Sequence, residues 1–211
     1  MLKIWGRPNS SNVQKVMWLV GELGLEHEHI AVGGKLGGLD KPEFLAMNPH
    51  GRVPVIDNAG MVVWESHTIL RYIAACFGKG RFWSEDPGER SQAERWMDWA
   101  ETTLQPDFGL GVFMAYFRTP ERQRNWPAIN EKIAATARHF QLLDKILAER
   151  PYLGGDNLTL ADMPAGCQLF RYFELDIERP KISNVESWYR RLRERPAYRE
   201  HVMISFDDLR A

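Results

Sequence analysis

The sequence predicts a small α/β domain followed by an all-helical one, and three observations carry that expectation. Residues 1–79 alternate between strand-like and helix-like apolar patterns. A stretch rich in glycine and charge, "GKGRFWSEDPGERSQ" (residues 78–92), then breaks the periodicity. Beyond it only helical patterns follow, which sets domains at 1–79 and 89–211.

"LKIW" reads as a first strand. "SNVQKVMWLVGELG" carries Val13, Val16, Met17, Val20 and Leu23 at helical spacing and stops at Gly24. "HEHIAV" alternates as a second strand, and the intervening helix is long enough to make the two strands parallel neighbours. A glycine-rich loop and a short helix, "KPEFLAMN", lead to "VPVID" and "MVVWE", joined as a hairpin through "NAG". A helix from Ser66 to about Phe77 completes the order β-α-β-α-β-β-α. The second half reads as helices over about 89–118, kinked at Pro106, then 120–149, 161–174, 183–194 and 196–204. Thr159 and Asp162 form a capping-box pattern ahead of the third of these.

Composition narrows the partners. With 27 basic and 28 acidic side chains the formal charge is -1, so the electrostatic footprint of a nucleic-acid or anionic-membrane binder is missing. The two cysteines, Cys76 and Cys167, are far apart in apolar contexts and suggest neither a disulfide framework nor a metal site. No apolar run is long enough to span a bilayer and no signal peptide is read, which leads to the expectation of a cytoplasmic protein that binds a small molecule.

The stretch "NPHGRVPVIDNAGMVVWES" is unusual, because it sets Pro54 where a strand begins and ends on Glu65 and Ser66 at the mouth of a helix. Together with the β-α-β-α-β-β-α start, the helical second half and "NLTLADMPAG", it resembles the cytosolic glutathione transferases over the whole chain. The likeness is to their serine- and asparagine-type, bacterial-like members, related to the theta, nu and beta classes. It implies a thioredoxin-like N-terminal domain, an all-α C-terminal domain, and glutathione as co-substrate with no metal. It also implies that Pro54 is cis and that Val53 offers its backbone to the cysteinyl unit of glutathione, as one strand does to another. Ser66 would hold the γ-glutamyl carboxylate at a helix N-terminus, and Glu65 the ammonium. Lys41 and Arg52 would serve the glycyl end, with Lys35 as a competitor for Lys41.

A transferase of this kind needs the glutathione thiolate at neutral pH, although a free thiol titrates near pKa 8.5. A donor aimed at sulfur from a helix N-terminus favours the anion. "RPNSSNVQKV" has neither tyrosine nor cysteine but offers Ser10, Ser11 and Asn12. In serine-type relatives the hydroxyl lies six positions before the residue matching Val16, which selects Ser10. In asparagine-type relatives the amide lies four before it, which selects Asn12, and Ser11 stands between. All three also suit plain helix capping.

Trp5, Phe108, Phe113, Tyr116 and Phe117 are the candidate walls for a hydrophobic electrophile, although an aromatic stripe at helical spacing also suits a core. The resemblance implies conjugation of hydrophobic electrophiles, hence detoxification, by a homodimer. Alternatives are a glutathione-dependent peroxidase or disulfide reductase, and a binding protein that kept the fold without turnover.

Overall fold

A computed structural model describes residues 1–211. The chain divides into two compact units, Met1–Ser84 with Pro196–Ile204, and Glu85–Arg195 with Ser205–Ala211.

The first unit is a four-stranded sheet in the order β2-β1-β3-β4, from β1 (Leu2–Trp5), β2 (His27–Ile30), β3 (Val55–Asn58) and β4 (Met61–Trp64). β1 and β2 run parallel across helix α1 (Ser11–Leu23), while β3 and β4 add antiparallel as a hairpin. Ala59 and Gly60 supply the positive φ, 52° and 94°, that the tight turn requires. A short α2 (Pro42–Met47) precedes β3, and α3 (Ser66–Phe77) follows β4.

The apolar spacing of α1 predicts one buried face, yet everything from Val13 to Val20 is buried, Gln14 and Lys15 included. The reason is α8 (Pro196–His201), a late segment that belongs to this unit. Tyr198 stacks edge-on against Trp18 at 4.9 Å, and the Gly21 backbone lies so near Ala197 and His201 that a Cβ there would come within 2.9 Å of both. Sequence assigned all of residues 89–211 to one domain. The structure returns Pro196–Ile204 to the other.

The second unit is helical. α4 (Pro87–Trp99) starts at Asp86, whose carboxylate accepts the Glu89 N–H at 2.8 Å. The helix runs on through Ala100–Phe117 with a wider, π-type winding around Pro106, which has no N–H to donate. The expected kink at Pro106 is thus a change of winding that begins at Ala100. α5 (Trp126–Leu147) is capped by Asn125 and starts later than the expected 120, after a short turn over Glu121–Gln123. α6 (Met163–Glu174) and α7 (Ser183–Arg193) complete the unit. Asp144 on α5 caps α7 from a distance, accepting the N–H groups of Asn184 and Val185 at 2.8 and 3.0 Å.

The capping-box residues form a buried knot before α6. Asp162 accepts the N–H of Leu153 at 2.7 Å and of Thr159 at 3.0 Å, while the Thr159 hydroxyl accepts from Ala161 N–H. Burial pushes the Asp162 carboxyl up to about 6 against these bonds, which favour its charged form.

Candidate active site

The sheet register brings the candidate binding residues together. β3 pairs with β4 up to Val55↔Trp64, so Val53 and Pro54, which lead into β3, and Glu65 and Ser66, which follow β4, come to the same end of the hairpin. β3 pairs with β1 up to Trp5↔Val55, and just past that pair Gly6 lies against Val53. The end of β1, the start of β3 and the end of β4 therefore converge at one end of the sheet.

At that convergence the Val53–Pro54 peptide is cis. The β1–β3 ladder begins only at Val55, and the Val53 N–H and C=O have no backbone partner. Gly6 keeps this edge close to α1: a Cβ on it would lie 2.3 Å from Val13 Cγ2 and 3.3 Å from Val53 Cβ. Asn48 braces the segment before Pro54. Its side chain is buried, donates to the Arg52 carbonyl at 2.8 Å and accepts the His50 N–H at 3.1 Å.

Glu65 holds φ 69° and ψ 117°, a backbone state that an L residue with a Cβ adopts only under strain. Its side chain is exposed and caps nothing, and α3 has no acidic residue in its first turn. The positive end of α3 at buried Ser66 is thus unneutralised by that turn.

The mouth of α1 is similarly open. Ser10 occupies the N-cap position but its side chain makes no capping bond, and no acid lies in the first turn. Capping therefore does not account for Ser10. Ser11 opens the helix beside it, and both are half-buried. Asn12 is different: its Oδ1 is buried without a hydrogen-bond partner, a costly state for an amide oxygen.

Comparison with known proteins gives this arrangement a family. Residues 1–75 match the family described as "Glutathione S-transferase, N-terminal domain", and residues 105–196 match "Glutathione S-transferase, C-terminal domain". The chain is 38% identical over 206 residues to Glutathione S-transferase GstB of Escherichia coli strain K12, covering 97% of this chain and 99% of that protein. The chain belongs to the glutathione S-transferase family. Among solved structures it resembles the theta class glutathione S-transferase of the citrus canker pathogen Xanthomonas axonopodis pv. citri with glutathione bound. That likeness has a TM-score of 0.91 at 39% identity, over 97% of this chain and 98% of that one. It is also 28% identical to the disulfide-bond oxidoreductase YfcG of Escherichia coli strain K12, over 93% of this chain and 92% of that protein.

Other candidate residues of this transferase-family chain fall differently. Lys41 stands exposed at the N-cap of α2, with exposed Lys35 and Arg52 on flanking segments. Trp5 ends β1 half-buried. Phe108, Phe113 and Phe117 correct the sequence reading, since they are at most 3% exposed and pack inside the helical unit. Phe108 meets Tyr172, while Phe113 and Phe117 stack on each other and on Phe206. Of that stripe only Tyr116 reaches an open space, a groove of about 700 Å³ shared with Trp126, Ile133 and Ile177.

Gly6, Asn48 and Lys15 escaped the sequence reading, and His67, which the sequence suggests as a surface or hairpin-contacting residue, is instead buried against Lys15. "NPHG" is a turn signal in which the Asn side chain commonly bonds backbone two residues on, so Asn48 was findable. Nothing marks Lys15 as buried, because lysine on a helix is ordinarily solvated.

Proposed function

We propose that this protein binds glutathione along the edge formed by Val53, Glu65 and Ser66 and joins its thiolate to a hydrophobic electrophile. Val53 pairs with the cysteinyl backbone through its free N–H and C=O. The α3 N-terminus at Ser66 receives the γ-glutamyl carboxylate, Glu65 the ammonium, and Lys41 and Arg52 serve the glycyl carboxylate.

The observation that carries the reading is the uncapped N-cap serine. Ser10 presents a hydroxyl that no backbone group of α1 uses, at the positive end of that helix. Such a donor stabilises sulfur as the anion. The thiol proton leaves to solvent, the thiolate pair forms the new S–C bond, and the leaving group departs with its own bonding electrons. The rest of the acceleration is proximity.

Asn12 supports a second reading, disulfide reduction, in which two glutathiones reduce one disulfide to two thiols and are themselves joined as glutathione disulfide. Its buried Oδ1 has no hydrogen-bond partner, so an acceptor stands open to a thiol S–H at the position where asparagine-type relatives place their amide. We take the working form to be a cytoplasmic homodimer. The exposed apolar residues Met61 and Trp64 on edge strand β4 support a partner there.

Retention on immobilised glutathione, followed by conjugation of a generic aromatic halide, tests the first reading. Loss of both would refute it. Retention with rapid disulfide reduction but no halide conjugation would transfer the assignment to the second.

A further inference from the structure

Two ionisable side chains lie buried directly behind the proposed glutathione edge. Lys15, on α1, is 2% exposed, and His67, on α3, is 8% exposed. The Lys15 ammonium donates to His67 Nε2 at 3.1 Å. Lysine is almost never this buried unless paired, because a desolvated ammonium is costly.

We infer that Lys15 and His67 form a positioning pair that ties the N-terminal turns of α1 and α3 together and keeps a fixed positive charge behind both. The inference rests on the glutathione reading. Lys15 lies one turn after Ser11, and helical side chains lean toward the N-terminus, so its stem runs back toward the turn that carries the donors. His67 follows Ser66 directly. One contact thus links the sulfur end of the site to its γ-glutamyl end.

The protonation states fit this role. Since Nε2 accepts, neutral His67 carries its proton on Nδ1. Burial first, then the charges of Lys15 and Arg71, push His67 down to about 2. His67 is therefore the neutral member of the pair, and the charge the pair can carry is that of the Lys15 ammonium. Glutathione brings carboxylates and a developing thiolate, all favoured by that charge.

The test is Lys15→Met, which keeps the apolar stem and removes the charge. We expect KM for glutathione and the acid dissociation constant of the bound thiol each to worsen by about tenfold, the scale of one partly shielded charge interaction. The melting temperature should fall, since the buried His67 Nε2 loses its Lys15 donor, so KM and the thiol pKa are the deciding readouts. Unchanged KM and thiol pKa would overturn the inference, because a purely structural contact would move only the melting temperature. Should Lys15→Met not fold, His67→Gln keeps an acceptor and His67→Leu removes it. The larger KM increase is expected in the leucine variant, and equal KM in the two would overturn the pair. Failure of the unaltered protein to bind glutathione overturns the glutathione reading and the pair together, whereas binding unaffected by Lys15→Met overturns the pair alone.

Discussion

Replacement of Gly6 by alanine tests whether the close approach of α1 to the Val53 edge sets the site. The added Cβ would sit 2.3 Å from Val13 Cγ2, 3.3 Å from Val13 Cγ1 and 3.3 Å from Val53 Cβ. Carbon atoms rest at about 3.5–4.0 Å, so the first of these contacts demands a displacement of more than about 1 Å. Val13 cannot yield by rotation, being fully buried and β-branched in a helix, where one χ1 rotamer dominates. The strain must move α1 or the Val53 segment. Overpacking of this kind costs about 1–3 kcal/mol of stability, and a 1 Å misplacement of reacting groups costs about a hundredfold in rate. We expect kcat/KM for conjugation to fall about a hundredfold in Gly6→Ala, with a melting temperature lowered by several degrees. Gly24→Ala is the matched control. Gly24 adopts φ 62° at the end of α1 with nothing within 4 Å, so it loses stability through backbone strain alone. A Gly6→Ala enzyme that lost stability like Gly24→Ala yet kept full kcat/KM would refute the reasoning.

Glu65→Gly should separate stability from binding. Releasing a strained φ of 69° returns about 1–3 kcal/mol, offset by about 0.5–1 kcal/mol of glycine entropy, so calorimetry should show equal or higher stability while KM for glutathione rises. A lowered melting temperature with unchanged KM would contradict both halves. Acid stability should report His67: its folded value is depressed from 6.5, so its contribution is complete above about pH 6.5 and is lost as pH falls toward 2. Between pH 6.5 and 5 the unaltered protein should lose about 2 kcal/mol relative to His67→Gln in denaturant titrations. Asp162 has the opposite sign, since its value is raised from 3.8 to about 6: stability falls as pH rises through that window, and Asp162→Asn should abolish that fall.

Periodicity made most of the first unit legible. The β1-α1-β2 crossover, the "NAG" hairpin and the helix opening at Ser66 stand where alternation and turn residues placed them, because each is decided by local pattern. Burial was harder to read. α1 looked one-sided because the helix that covers its other flank, Pro196–His201, lies at the far end of the sequence. The aromatic stripe on the run through Pro106 misled for a related reason. Spacing groups Phe108, Phe113 and Phe117 on a helix but cannot say that Tyr172 and Phe206 close over them. The site divides along the same line. Of the candidate residues, Val53, Pro54, Glu65 and Ser66 stand out in the sequence because a proline and a helix mouth punctuate the chain, whereas Gly6, Asn48 and Lys15 are brought near them by tertiary approach.

The central claim is that a side chain at the mouth of α1 holds glutathione as its thiolate, and ultraviolet titration of the bound thiol measures this directly. The account predicts a thiol pKa well below the free value of about 8.5 in the unaltered protein, and a return toward that value in Ser10→Ala. A return seen only in Asn12→Ala or Ser11→Ala would move the donor to that residue. A bound thiol that titrates like the free one in the unaltered protein would contradict the account.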